Sequence, residues 1–299
     1  MTIRIGNAPC SWGVEFADDP RNPPWERVLD ECAAAGYAGL ELGPVGYAPE
    51  DPSRVREAYA ARDLAMPAGV VFRAFHDPAK RDDLMDAARR TAQALAAAGA
   101  PHMVLIDSIA EARVPTAGRP DEAVRMSARE WEGFVGRFRD VTRLGAEEYG
   151  LTVSLHPHAA GFMDFEREAD DLLDAVPELH LCYDTGHAAY AGYDVTGFMA
   201  RHIGRIAYMH FKDIDPQVKA RAIAARTGFY EACAQGIFCN LGDGEVDFAQ
   251  VRRLLLDNGF QGWCTVEQDC DPSGPRTGPG SPVEDARVNR EFLASIGFA

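Results

Sequence analysis

Eight times along this 299-residue chain, a short apolar run of strand length gives way to a stretch with helical spacing. The strand candidates are Ile3 to Ala8, Gly39 to Leu42, Ala68 to Phe72, His102 to Ile106, and four later runs within LTVSLHPH (151–158), LHLCYDTGH (179–187), RIAYMHFKD (205–213) and GWCTVEQD (262–269). Parallel strands need a crossover between them, usually a helix. The alternation therefore predicts a parallel sheet, and eight units predict closure into a single (β/α)8 barrel rather than an open doubly wound sheet. A barrel of this kind takes roughly 250 residues as one domain, so residues 1–299 are read as one unit. The first strand-to-helix turn is APCSWG, not GxGxxG, and no GxxxxGK[ST] loop occurs, so a nucleotide-phosphate cradle has no support.

The helical stretches are Pro23 to Ala35, Pro52 to Arg62, Lys80 to Ala98, Ser127 to Tyr149, Asp164 to Ala175, Asp194 to His202, Asp247 to Asn258 and Pro282 to Ile296. Gly36 and Gly99 stand where helix stops belong, and Ser127 with Glu130 has capping-box spacing. Two connections exceed the simple unit. One is a loop over 108–126. The other is an insertion at about 214–246, with a helix predicted over Gln217 to Ala234 and then QGIFCNLGDGEVDF. Both follow strands and so belong to the catalytic mouth, where long loops often serve as lids.

In the second half each apolar run ends at a side chain that can bind a metal: His156, Asp184, His210 and Glu267. A barrel gathers residues from strand C-terminal ends into one pocket, so these four are expected to converge on one divalent cation. One such residue alone is more often a hydrogen-bonded structural group, and four on consecutive strands shift that balance. His158 competes with His156 for the ligand role. Mixed carboxylate and imidazole donors suit Mn2+ first, with Co2+ or Mg2+ as alternatives. Such a cation would act as a Lewis acid beside a hydroxy-ketone and stabilise an enediolate.

Alternation puts Lys212 on the same side as His210, where it would hold a substrate oxygen or move a proton. The competing reading is a surface lysine paired with Asp213. His187, three residues past Asp184 in the expected turn DTGH, would bind substrate or tune the metal, or simply stabilise that turn. Trp12, Phe72, Phe75 and His76 lie near other strand ends and would wall the apolar side of a sugar ring, or pack a lid. Lys212, His158, His187 and Glu267 are the acid–base candidates, and the sequence does not assign them. Asp243 sits between two glycines, as in a tight turn.

The formal net charge is −16 with no run of Lys or Arg, which disfavours a nucleic-acid or anionic-membrane partner. No apolar stretch approaches the roughly 18 residues of a membrane span. The first residues enter a strand without a signal-peptide pattern. Seven cysteines lack CxxC spacing, as expected of reduced thiols in a cytoplasmic protein. The partner expected is a small polyol or keto-sugar. The sequence leaves the oligomeric state open, a homo-oligomer included.

At HPH (156–158), DTGHAAYAGYD (184–194), HFKD (210–213), QGIFCNLGDGEVDF (235–248) and GFQGWCTVEQDCDP (259–272), the chain resembles the xylose-isomerase-like TIM-barrel superfamily. Within it the nearest resemblance is to inosose (2-keto-myo-inositol) dehydratases of inositol catabolism. The resemblance is strong from about 150 to 272 and rests on NAPCSWGVE (7–15) in the first half. It implies metal positions at His156, Asp184, His210 and Glu267, and a metal-dependent lyase that dehydrates a keto-cyclitol or keto-sugar. His156 stands where the wider superfamily has Glu. With that carboxylate missing, the two-carboxylate shuttle of the sugar epimerases is absent, which favours elimination. The rivals are a ketose isomerase or epimerase, another lyase such as a C-glycoside-cleaving subunit, and a binding subunit without turnover. An apurinic endonuclease would need a basic face that this chain lacks.

Overall fold

The computed structural model describes residues 3–268 and 280–298. Its strands are β1 (Ile3–Asn7), β2 (Gly39–Leu40), β3 (Ala68–Arg73), β4 (His102–Asp107), β5 (Thr152–Leu155), β6 (His180–Asp184), β7 (Ile206–Phe211), β8 (Asp213–Ile214), β9 (Phe238–Cys239) and β10 (Gly262–Val266). Eight of these form one parallel sheet in the order β2-β1-β10-β7-β6-β5-β4-β3. The sheet closes on itself where Gly39 bridges Ala65 in parallel and the Leu42 N–H donates to the Ala68 carbonyl at 2.9 Å. The (β/α)8 barrel is therefore the observed architecture.

Both faces of each barrel strand are covered, so the strands read as nearly continuous apolar runs. Along β7, Tyr208 points into the barrel with Cys182, Val104 and Trp263. Met209 and Phe211 pack outward against the helix layer. The same alternation carries His210 and Lys212 inward.

Three local expectations change. The helix from Ser127 keeps its capping box but is α-helical only as α4 (Ala128–Arg143), and a π-turn over Leu144–Glu148 follows. There Gly145 lies against Met103 and Val153, so closely that a Cβ would fall 2.5 Å from the Met103 methyl. The DTGH segment is a buried helix rather than a turn (Thr185–Ala191), because the Asp184 carboxylate caps it by accepting the His187 N–H at 2.8 Å. The insertion carries two helices, Pro216–Ala225 and Phe229–Ala234, instead of one. Arg226 breaks them by adopting a left-handed backbone, φ 59°.

Asp213 holds the rest of the insertion. One carboxylate oxygen accepts from the Ile214 and Val246 N–H groups, at 2.9 and 3.1 Å. The other accepts from Gly242 and Gly244, also at 2.9 and 3.1 Å. A Cβ at Gly244 would sit 2.2 Å from this carboxylate, so only glycine fits. β8 pairs with β9 in antiparallel fashion beside it, and Asp243 closes a turn onto Asn240. The described cysteines are free thiols, and Cys270 lies outside the described residues. No described helix is long and apolar enough to cross a membrane.

Asp213→Ala should cost more than about 2 kcal/mol in a denaturant titration, since each unsatisfied N–H costs about 1–3 kcal/mol. Proteolysis should then cut first within 235–246. A loss below about 0.5 kcal/mol would mean that the loop is held by other contacts.

Candidate metal centre

His156 and Glu267 each stand one residue past a strand, Asp184 ends β6, and His210 is the penultimate residue of β7. In the parallel register Asp184 is level with His210, and His210 with Thr265. The four side chains therefore meet at the same height, and each offers one ligand atom within 4.8 Å of the others. His156 Nε2 lies 3.4 Å from Asp184 Oδ2, and His210 Nδ1 lies 3.3 Å from Glu267 Oε2. Asp184, His156 and His210 are buried.

The donor set can be tested for a cation by asking which atoms are already in use. Asp184 spends Oδ1 on its helix cap, while Oδ2 is buried without a hydrogen bond. His210 Nε2 meets Glu41 Oε1 at 2.9 Å, so the nitrogen left to face a cation is Nδ1. His210 Nδ1 and both His156 ring nitrogens are buried without hydrogen bonds. Buried polar atoms are normally partnered. Orphan ring and carboxylate atoms on three residues aimed at one point, with Glu267 beside them, fit a divalent cation.

Glu41, one residue past β2, was not anticipated from the sequence. It is buried, and Oε1 accepts from the Tyr208 hydroxyl at 2.8 Å as well as from His210. Tyr208 also bonds Thr265. Burial alone would lower the His210 pKa, yet Cys182, Glu267 and Glu41 together raise it well above the usual range. Burial likewise opposes ionisation of Glu267, but His210 and Lys212 outweigh it and hold that carboxyl well below the usual range. The carboxylates that hold a proton on His210 would equally favour a divalent cation in its place.

Lys212 is buried, with Nζ 3.4 Å from Glu267 Oε2, 3.2 Å from His187 Nε2 and 4.9 Å from the Phe238 ring centre. Pairing with Asp213 does not occur, because that carboxylate is taken by the insertion. Gly186 makes room for Lys212: a Cβ there would lie 2.7 Å from the lysine Cγ. His187 Nδ1 accepts from the Ala159 N–H at 3.2 Å, which leaves the ring proton on Nε2, the nitrogen beside Lys212 Nζ. His158 Nδ1 donates to the Ala159 carbonyl at 2.8 Å, which leaves Nε2 with a lone pair. Burial, with His156 and Lys212 nearby, pushes His158 down to about 3. Burial also lowers His187 well below the usual range, so both rings are neutral at physiological pH.

The aromatic expectations divide. Phe72 lies 5.5 Å from the His158 ring. Phe75 stacks on Phe138 of α4 at 4.0 Å and belongs to the outer core, not to the pocket wall. Trp12 is buried with its indole N–H bonded to Glu31 at 2.8 Å, on the first helix (Trp25–Ala34). His76 pairs with Asp107 at 2.8 Å and rests against Phe162. Sequence reading missed Phe229 and Phe238, whose rings lie 5.8 Å from His158 and 5.2 Å from His187 respectively.

The model of the xylose isomerase-like TIM barrel family matches residues 29–296. The chain belongs to that family. It is 29% identical over 307 residues to the rhizopine catabolism protein MocC of Rhizobium meliloti, covering 100% of this chain and 90% of that protein. It is 28% identical over 303 residues to an inosose dehydratase of Geobacillus kaustophilus, covering 97% and 94%. Among solved structures it is similar to the IOLI protein with a bound zinc atom, with a TM-score of 0.73 at 14% identity and 98% of each chain covered.

Glu41→Gln should weaken Mn2+ binding by about 10- to 100-fold, the usual effect of removing an outer partner of a ligating histidine. Calorimetric titration of metal-stripped protein gives the value. An affinity within about twofold of the parent would show that Glu41 does not orient His210.

Proposed function

We propose that this enzyme is a divalent-metal-dependent lyase that dehydrates a keto-cyclitol or keto-sugar through an enediolate. The observation that carries the reading is the pairing of one metal-type cluster with one imidazole, His158, whose Nε2 lone pair is uncommitted. His156, Asp184, His210 and Glu267 would hold the cation, with Mn2+ as the first choice for this donor set. A bound cation supplies Lewis acidity, lowering the cost of negative charge on the substrate oxygen next to the carbon that loses its proton.

The protein's own groups then divide the proton work. His158 Nε2 takes the proton α to the carbonyl, the C–H pair forms the carbon–carbon double bond of the enediolate, and the carbonyl pair moves to oxygen. As that oxygen pair re-forms the carbonyl, the carbon–carbon pair shifts toward the β-carbon and expels its hydroxyl. The Lys212 ammonium, paired with Glu267, donates a proton to the β-hydroxyl as its C–O bond breaks, and water departs. His187 acts by packing, its ring lying 4.0 Å from that of His158 and beside the lysine. Glu267 stays ionised and anchors the lysine. The relatives named for inosose dehydration and rhizopine catabolism support a cyclitol-like substrate, and the zinc-bearing neighbour supports a metal.

His158→Ala should lower kcat on 2-keto-myo-inositol by about 10²- to 10⁴-fold, the range for a general base, with Mn2+ affinity changed less than about threefold. Product analysis in deuterated water, followed by ultraviolet absorbance, identifies the reaction. Solvent-exchanged epimer without any dehydrated product, from every ketose and keto-cyclitol offered, would replace the lyase by an epimerase.

A further inference from the structure

The insertion sets aromatic rings against the proton-handling residues beside the metal-type cluster. Phe229 begins the second insertion helix, and Phe238 lies on β9. Phe229 sits 5.8 Å from the His158 ring and 6.5 Å from His187. Phe238 sits 5.2 Å from His187 and 4.9 Å from Lys212 Nζ. Phe72 comes from the barrel itself and approaches His158 from another strand, at 5.5 Å. The proton-handling residues are therefore lined by three phenyl rings, while the hydrogen-bonding and charged groups gather on the barrel side.

The two insertion rings are held firmly. β9 pairs with β8, directly after Lys212, and Asp213 clamps the following turn. The helix that carries Phe229 abuts the other long loop: a Cβ on Gly228 would lie 3.4 Å from the Val114 carbonyl, and Arg226 bonds Glu122 at 2.5 Å. Both extended loops thus cooperate to fix the wall.

We infer that Phe229 and Phe238 are specificity-determining residues that select a six-membered ring with equatorial hydroxyls over an open-chain polyol. The inference rests on the polyhydroxylated substrate class proposed above, but not on whether the reaction is elimination or epimerisation. The physical reason is desolvation. A chair with equatorial hydroxyls directs them around its rim and presents faces of axial C–H groups, which can lie on phenyl rings without burying a hydroxyl. An open-chain polyol has hydroxyls along its whole length and would leave some against the rings, stripped of water and unpaired, which is costly. Sites discriminate most strongly where a mismatch leaves polar groups unpaired.

The test uses scyllo-inositol, whose hydroxyls are all equatorial, and D-sorbitol, a linear hexitol. Binding of each to the Mn2+-loaded full-length protein is measured by calorimetry. The unsubstituted protein should prefer scyllo-inositol by at least about tenfold. Phe229→Leu and Phe238→Leu should each lower that preference by about fivefold or more, through weaker binding of the ring compound, with Mn2+ affinity and thermal midpoint unchanged. Phe16→Leu, an exposed phenylalanine far from these contacts in the sequence, should leave the preference intact. No preference in the unsubstituted protein, or one that survives both leucine variants while Mn2+ still binds, overturns the inference. Product analysis on 2-keto-myo-inositol is read separately, so failure of the lyase reading and failure of the aromatic selection give different results.

Discussion

The buried carboxylate of Glu41 ties the barrel interior to its chemistry. A buried charge costs several kcal/mol unless it is paired and hydrogen-bonded. Glu41 meets that cost by accepting from Tyr208 below and His210 above. The same bond engages Nε2 of His210 and so leaves Nδ1 as the nitrogen that faces Glu267. Packing and reactivity are thereby coupled, because the Tyr208–Thr265 contact that fills the barrel also positions the acceptor that engages the histidine.

Two aspartates show how much a short motif can do when each oxygen has its own task. Asp184 caps a helix with one oxygen and offers the other to the cluster. That helix brings His187 to Lys212. Asp213 follows the inward-pointing Lys212 and collects four backbone N–H groups from the chain around it. In HFKD the alternation of β7 thus sends His210 and Lys212 to the pocket, leaves Phe211 in the outer core, and lets Asp213 fold the insertion over the mouth. The wall that carries Phe238 is anchored one residue from the lysine it touches.

The barrel and its strand ends were legible because periodicity in a parallel sheet is strict: apolar runs, helices between them, and polar residues where the runs stop. The position of Lys212 followed from counting by two. Glu41 escaped, although it obeys the same rule as the four ligand candidates, because GLEL is too short a run for its acidic residue to stand out. The helix after Asp184 was hidden by DTGH, whose composition reads as a turn until the aspartate is seen to cap it. The break at Arg226 has no Pro to announce it and depends on a left-handed residue that sequence rules disfavour. Phe229 and Phe238 reach the pocket only through the folding of the insertion, and no spacing encodes that. Phe75 shows the converse: an aromatic residue near a strand end can also serve the helix layer, and sequence position does not separate the two layers.

An epimerase that works by proton exchange needs a base and an acid on opposite faces of one planar intermediate. Here the uncommitted imidazole His158 stacks at 4.0 Å on His187, and His187 in turn lies beside Lys212. These three groups form one contiguous array, and Glu267, the carboxylate that touches Lys212, joins the same array. His156, at the position where a second carboxylate would be required, has both ring nitrogens buried and a carboxylate neighbour 3.4 Å away. A ring in that setting serves as a ligand far better than as a base. One contiguous array beside the metal-type cluster is the feature on which the proposed elimination rests.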